Sequence, residues 1–304
     1  MSTNLTGRVL VATSGSDASR SAIVHAAHEA VARGLLLELV HVITPTLAVG
    51  PYGASPDAAL RRAGRELLAH GEELAHEVEP HVDVTTTLLT GSRPDAVVHY
   101  ADGAELLVVG APPHDLMGRL WTGSTVMGIA ARATCPVVVV PPGEPRPTTH
   151  QVLVGLKTTR HCEHLLATAF AVASQTQSEL RIVHAWHLIS PYDEAIAERL
   201  PSPAWEQEDA RVIQGELIDL RMAYPDVQVQ VDVVHGRPAT TLVEASRDAD
   251  TVVISRPSHG GLVHHLGATG RAVIRDAGCP VLVVPPLEEG AEVERVPVET
   301  ALTP

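Results

Sequence analysis

The chain has 304 residues, of which 45% are hydrophobic and 19% charged, and its formal net charge at neutral pH is -14. This length and composition are typical of two globular domains of ordinary size. The negative charge argues against nucleic acids and anionic membrane surfaces as partners, because an acidic surface repels both.

The apolar runs, the first residues and the cysteines of the sequence bear on its location and on possible disulfide or zinc sites. No apolar run approaches the roughly 20 residues of a spanning helix, and the first eight residues lack a basic segment followed by an apolar core. We therefore expect a cytoplasmic protein with no membrane partner. The cysteines show no CxxC spacing, so neither a disulfide framework nor a zinc site is predicted for Cys135, Cys162 and Cys279.

Apolar strands and amphipathic helices alternate along the first half of the chain. Ser14 to Asp17 supply helix-capping residues after the first strand, and Gly34 marks the end of the helix that follows. The predicted strands cover residues 8–13, 36–43, 82–89, 105–110 and 136–140, and the later helices cover residues 57–79, 94–101 and 124–133. Strands that are apolar throughout predict a parallel sheet with helices on both faces.

The second half of the chain repeats the first. Residues 9–12 (VLVA) recur as 152–155 (VLVG), and 135–141 (CPVVVVP) recur as 279–285 (CPVLVVP). We therefore predict two tandem doubly wound α/β domains, each with a five-stranded parallel sheet. The predicted domains cover residues 1–142 and 148–286. A proline-rich linker joins them and is expected to hold them apart. An acidic tail, 287–304, follows the second domain.

Several local signatures resemble the universal stress protein family in its tandem form. They are the segment 11–19 after the first strand, His41-Val42 at the end of the second, Gly91-Ser92-Arg93-Pro94 before the third helix, and the final Cys-Pro-Val run. The resemblance covers about residues 6–286. It implies a fold like that of the adenine nucleotide alpha hydrolases, and it implies that neighbouring domains pair through their last strands, 137–140 and 281–284, within one chain or in a homodimer.

ATP-binding members of the family carry a loop of the form G-x2-G-x9-G-S/T after the fourth strand. The first copy has Gly110, Gly123 and Ser124 at this spacing, but Pro113 replaces the middle glycine and Ser14 stands where these members have an Asp. The resemblance implies ATP or another adenine nucleotide as ligand. Its base and ribose would lie near Ala12, Ser14 and Val42, and its phosphates would contact Gly110, Gly123, Ser124 and Thr125.

The second copy departs further from this pattern. Ser255 and Ser258 replace both early glycines, Ala268 replaces the hydroxyl residue, and Lys157 stands at the Asp position. We therefore expect the second domain to serve as a scaffold or interface, with at most one nucleotide bound per chain.

Catalytic and metal-binding motifs are weak in the sequence. It has no Walker A, HExxH or GxSxG motif, which argues against an enzyme and allows at most slow ATP hydrolysis. The 17 histidines raise the alternative of a metal-responsive switch, but pairs such as His161 and His164 are more often solvated than ligating. The main hypothesis is a stress-response protein that senses an adenine nucleotide through its first domain, and its rival is an interaction scaffold that binds no nucleotide.

Overall fold

The computed structural model describes residues 7–44, 56–111, 123–143, 146–188, 190, 204–257 and 266–286. Its strands are β1 (Arg8–Ala12), β2 (Leu36–Ile43), β3 (Val84–Thr90), β4 (Leu106–Gly110), β5 (Val137–Val140), β6 (Gln151–Leu156), β7 (Glu179–Trp186), β8 (Val229–His235), β9 (Thr251–Ser255) and β10 (Val281–Val284). The helices of the same segments are α1 (Asp17–Arg33), α2 (Pro56–Val78), α3 (Arg93–Tyr100), α4 (Gly123–Arg132), α5 (Glu163–Gln175), α6 (Ala204–Glu216), α7 (Ile218–Ala223), α8 (Pro238–Ala245) and α9 (Ala268–Asp276).

All ten strands form one continuous sheet, in the order β3-β2-β1-β4-β5-β10-β9-β6-β7-β8. Within each half, neighbouring strands are parallel, as the apolar strand sequences predicted. The predicted fold, two tandem doubly wound domains, is confirmed. In each half the chain reverses its direction of winding between the first and fourth strands, β1 and β4 or β6 and β9. Ligands of such folds bind at this switch point, outside the carboxyl ends of the strands.

Each face of the sheet carries one hydrophobic core that extends across both domains. On one face, α1 and α2 of the first domain and α5 and α6 of the second cover alternate strand residues such as Val9 and Val154. On the other face, α3, α4, α8 and α9 cover the intervening residues, such as Leu10 and Leu153. Because side chains alternate across a strand, nearly uniform apolar strands supply both cores at once.

The seam between the domains is the antiparallel pair β5·β10. Val138 lies opposite Leu282 in its register, so the predicted pairing of the last strands is confirmed within one chain. The expectation that the linker holds the domains apart is wrong, because this pairing makes the two halves a single sheet.

The linker packs against both domains. Gly143 exchanges two hydrogen bonds with the Ser21 hydroxyl on α1, at 2.9 and 3.2 Å. Farther along, Arg146 donates to the backbone carbonyls of Gly278 and Arg247, both at 2.7 Å. These contacts fix the linker at each end. The predicted acidic tail lies outside the described residues.

Candidate functional site

The carboxyl ends of β1 and β4 lie side by side at the switch point of the first domain. Ala12 is opposite Val109 in the β1·β4 register, and Gly110 follows directly. Val42 lies near the end of β2, the other neighbour of β1, and is 5% exposed. Three predicted site residues, Ala12, Val42 and Gly110, therefore meet at one edge of the sheet.

A group of hydroxyl residues forms the turn between β1 and α1. The Ser14 hydroxyl lies 2.9 Å from that of Ser19 and 3.1 Å from that of Ser16. Ser16 is the N-cap of α1, where its side chain accepts from the Ser19 backbone N–H. Gly15 has a left-handed φ of 78°, and a Cβ there would meet Leu67 of α2 at 2.8 Å. The turn therefore adjoins α2.

A cleft of about 330 Å³ opens at the carboxyl end of β2. Residues 41–44 form its floor, and the other lining side chains are Leu60, Ala63 and Leu67 from α2 and Arg93 from the start of α3. The walls are mainly aliphatic, with one cation at the rim. Val42 is thus a cleft residue, and the Ser14 turn touches the same wall through Leu67.

His41, at the floor of the cleft, has a fixed orientation. Its Nδ1 lies 2.8 Å from the Thr13 carbonyl oxygen. Because a carbonyl can only accept, Nδ1 carries the proton, and in the neutral ring Nε2 is left as an acceptor. Gly64 allows α2 to pack against this ring, since a Cβ there would lie 3.1 Å from His41 Cδ2. This geometry gives His41 a structural role at the end of β2, beside the cleft.

Gly110 has a packing role that the sequence did not suggest. A Cβ at this position would lie 2.3 Å from the backbone oxygen of Ala18 in α1. The absence of a side chain therefore lets the first turn of α1 lie directly on the end of β4. A phosphate contact by Gly110 stays a prediction.

The other predicted phosphate-binding residues belong to α4. This helix begins at Gly123, with Ser124 and a half-buried Thr125 in its first turn. The first amides of a helix have no partner within it and favour an anion. The rest of the proposed loop, including Pro113, lies outside the described residues.

Sequence reasoning missed the α2 wall and the role of Arg93. The amphipathic period of residues 57–79 predicted the helix but could not show which of its residues line a cleft. Arg93 was recognised only as part of a family signature. Arg93 is the first residue of α3, just before Pro94 and three positions after the end of β3, and this place between a strand and a helix is the signal that would have located it at the carboxyl edge.

The second domain uses the corresponding edge differently. Arg256, directly after β9, is 8% exposed and donates from Nη1 to the Ala133 carbonyl of the first domain, at 2.6 Å. Burial lowers the pKa of its guanidinium. This residue, which begins the loop matching the first domain's phosphate loop, therefore ties the two domains together. Ser255 ends β9, whereas Ser258 lies outside the described residues.

The described residues were also compared with the requirements of a metal site and of a membrane-spanning helix. Among the described residues no group of three or more His, Cys, Asp or Glu side chains is arranged to hold a metal ion. None of the described helices is both long and apolar enough to cross a membrane. The buried thiols of Cys135, Cys162 and Cys279 have pKa values raised by desolvation to about 11, 11 and 12.

The sequence and fold agree with known proteins. The family model described as "Universal stress protein family" matches twice, at residues 6–141 and 148–285. The chain belongs to the universal stress protein family. A universal stress protein of Mycobacterium tuberculosis is 31% identical over 285 residues, which cover 90% of this chain and 96% of the relative. A second from the same organism is 28% identical over 285 residues, covering 90% of this chain and 95% of that relative.

Solved structures support the two-domain arrangement. The crystal structure of a universal stress protein from Archaeoglobus fulgidus has a TM-score of 0.68 at 16% sequence identity, covering 92% of this chain and 96% of that chain. At this identity the likeness shows the fold alone.

Proposed function

We propose that the first domain binds one adenine nucleotide and that the second domain supports it structurally, so that the chain acts as a stress-response sensor. The observation that carries the proposal is the 330 Å³ cleft, which includes Val42 and lies at the carboxyl end of β2, the strand next to β1 of the switch point. Its volume is at the lower end of the range for small-molecule sites, and it opens at the same edge of the sheet as the switch point.

The lining of the cleft suits a planar base with an attached anion. Leu60, Ala63 and Leu67 supply an aliphatic wall, and Val42 supplies an apolar floor. Arg93 places a positive charge at the rim, and the first amides of α4, which have no partner inside the helix, favour an anion. The hydroxyl of Ser14, which replaces a carboxylate, adds no negative charge to repel phosphates.

The second domain differs from the first in a way that argues against a second nucleotide site. Its loop begins with Arg256, whose side chain is buried in the interdomain contact. An altered loop whose first residue serves the seam fits a structural role. We accordingly propose a stoichiometry of one nucleotide per chain.

Binding, rather than turnover, is the proposed activity. Among the described residues, the charged or titratable side chains that line the cleft are His41 and Arg93, and the first of these holds its Nδ1 proton on Thr13. Neither is a carboxylate placed to activate water, so hydrolysis of a bound ATP would be slow. A cytoplasmic location remains a prediction from the sequence.

Calorimetric titration with ATP, AMP and adenosine tests the proposal. Ala63→Phe, at an exposed cleft position, should fill the cleft and weaken all three ligands at least tenfold, a loss of about 1.4 kcal/mol. Ala69→Phe adds the same side chain at an exposed position on α2 that does not line the cleft, and should bind normally.

A second pair of variants separates charge from shape. Arg93→Gln should weaken ATP several-fold and adenosine little, because only the phosphates meet the guanidinium. Arg237→Gln changes the matching arginine of the second domain and should have no effect. If millimolar nucleotide gives neither heat nor thermal stabilisation, the nucleotide proposal is wrong and the seam-based scaffold is the better account.

A further inference from the structure

Two of the chain's three tryptophans meet at the carboxyl edge of the second domain. Trp186 ends β7, and Trp205 lies in the first turn of α6. Their ring centroids are 5.5 Å apart and their planes meet at 79°. We call this pair the aromatic corner. In the alignment of the two halves, Trp186 corresponds to Ile43, one of the residues that line the cleft of the first domain.

Neighbouring groups hold the corner in position. The Trp186 indole N–H donates to Glu206 Oε1 at 2.9 Å. The ring of His235, the last residue of β8, lies against Trp186 with centroids 4.4 Å apart and planes inclined by 31°. One side of Trp186 is therefore fixed by the protein, and its orientation is set before any ligand arrives.

Trp205 remains largely open to solvent. It is 49% exposed, an unusual state for a tryptophan that already packs edge to face on another indole. The exposed part of this indole is therefore apolar surface that a ligand can contact, and its packing on Trp186 holds it in a defined orientation.

Among the described residues, the charges around the corner are mainly negative. Glu206 and Asp209 are three residues apart on α6 and so share one side of the helix. Asp209 Oδ2 also lies 4.0 Å from Nε2 of His184, which holds its Nδ1 on a backbone carbonyl. Glu208 is paired with Arg211 on the same helix, and the exposed Arg237, two residues after His235, is screened by solvent.

This combination favours a cationic ligand over an anionic one. The face of an indole is negative and attracts cations, Trp best among the aromatic residues. A carboxylate that accepts the indole N–H increases the electron density of the ring. Phosphates, by contrast, would meet two carboxylates. The corner therefore favours a ligand of the opposite charge from the one that the Arg93 cleft of the first domain favours.

We propose that the aromatic corner binds a small organic cation of the quaternary or methylated ammonium class. The cation would lie against the exposed indole of Trp205, with Glu206 and Asp209 supplying the opposite charge. This proposal does not depend on nucleotide binding by the first domain, and the two can fail separately.

Tryptophan fluorescence of the full chain tests the site. In a Trp121→Phe background, where only the corner tryptophans emit, choline should change the emission in a saturable way. Its neutral isostere 3,3-dimethyl-1-butanol, which has the same shape without the charge, should bind at least tenfold more weakly. Calorimetry with choline gives an independent affinity for variants that lack a fluorescent residue.

Three variants assign the interaction to its residues. Trp205→Ala should abolish choline binding measured by calorimetry, and an unchanged circular dichroism spectrum would show that the exposed side chain is not needed for folding. Glu206→Gln should weaken binding several-fold. Glu208→Gln removes the same charge from the same helix away from the corner and should bind as the parent does.

Three results would overturn the proposal. They are equal affinity for choline and its neutral isostere, absence of any choline response up to tens of millimolar, and tighter binding of AMP than of choline at Trp205. The last would identify the corner as a base-stacking surface instead.

Discussion

The close approach of α1 to the end of β4 gives a sharp test of what Gly110 does. In Gly110→Ala, the new methyl group would lie 2.3 Å from the Ala18 oxygen and 2.5 Å from its carbonyl carbon, whereas ordinary contact begins at 3.4 Å. Both of these atoms are backbone, so rotation of a side chain cannot relieve the clash. Helix α1 must move by about 1 Å.

The expected loss of folding free energy follows from the contacts that this movement of α1 disrupts. The buried face of α1 consists mainly of small residues, such as Ala22 and Ala26, packed directly on the sheet. A gap of about 1 Å forfeits up to half of the dispersion energy of such contacts, and overpacking typically costs about 1–3 kcal/mol or more. Alanine also restricts the unfolded chain, which returns about 0.4–1 kcal/mol. We expect a net loss of about 2–3 kcal/mol.

Gly155→Ala is the matched control. This glycine also lies in a strand beside a helix, but its Cβ would meet the tip of Leu242, Cδ1 at 2.7 Å. A leucine tip can rotate away, so we expect a change below about 1 kcal/mol. Neither glycine has a left-handed φ, so backbone strain does not distinguish them.

Thermal unfolding followed by circular dichroism measures the difference. At about 2 °C per kcal/mol for a chain of this size, Gly110→Ala should lower Tm by about 4–6 °C and Gly155→Ala by less than 2 °C. Equal shifts for the two variants would refute the packing argument. A normal Tm combined with lost nucleotide binding would instead assign Gly110 to the ligand.

Three further predictions concern buried polar groups. Tyr100→Phe removes a 2.5 Å hydrogen bond to the buried Glu38 carboxylate, and should lower the free energy of unfolding by about 1.5–3 kcal/mol in urea titrations. Arg256→Ala removes the 2.6 Å bond to Ala133 across the seam and should cost about 2 kcal/mol by the same assay. The cysteine pKa values, raised from an ordinary 9.0 to about 11–12, predict that stability is lost above pH 9, because the unfolded thiols ionise first. Between pH 8 and pH 10 the parent should lose about 4 kcal/mol more than the variant with all three cysteines changed to alanine, or about 1.3 kcal/mol per thiol.

Controls are available for each of these. Thr87→Val tests whether the Tyr100 effect is specific, since Thr87 donates to the same carboxylate oxygen at 2.8 Å and should show a smaller loss. Arg146→Ala, on the exposed linker, should cost less than Arg256→Ala. Parallel pH profiles for the parent and the cysteine-free variant would contradict the assigned thiol pKa values.

The strands of each half were accessible from sequence because local pattern determines them. Val9 to Val11 and Val137 to Val140 are apolar at every position, which happens only where both faces of a strand are covered. Because the second half repeats the first, the strands of the second domain could be predicted from those of the first. The pairing of the last strands, β5 and β10, did not come from local pattern, because only the resemblance to the family implied it.

The cleft and the seam could not be predicted in the same way, because they depend on distant residues. Leu67 reaches the Ser14 turn only once α2 has packed on β2, and no local pattern encodes that approach. Arg256 resembles a solvent-exposed loop residue in the sequence, yet the seam buries it. Similarly, Trp186 and Trp205 are separated by 19 positions and meet only because α6 packs beside β7 and β8.

The antiparallel seam decides how the two proposed sites are related. Strands run in one direction within each half, and β5 and β10 oppose each other, so the carboxyl edge of one domain continues into the amino edge of the other. Arg256 illustrates this relation, because it leaves the carboxyl end of β9 and reaches Ala133, which precedes β5. A nucleotide in the first domain and a cation in the second would therefore lie at opposite edges of one sheet. Any coupling between them must pass through the seam, where Arg256 is the residue that joins the second domain's altered loop to the end of α4.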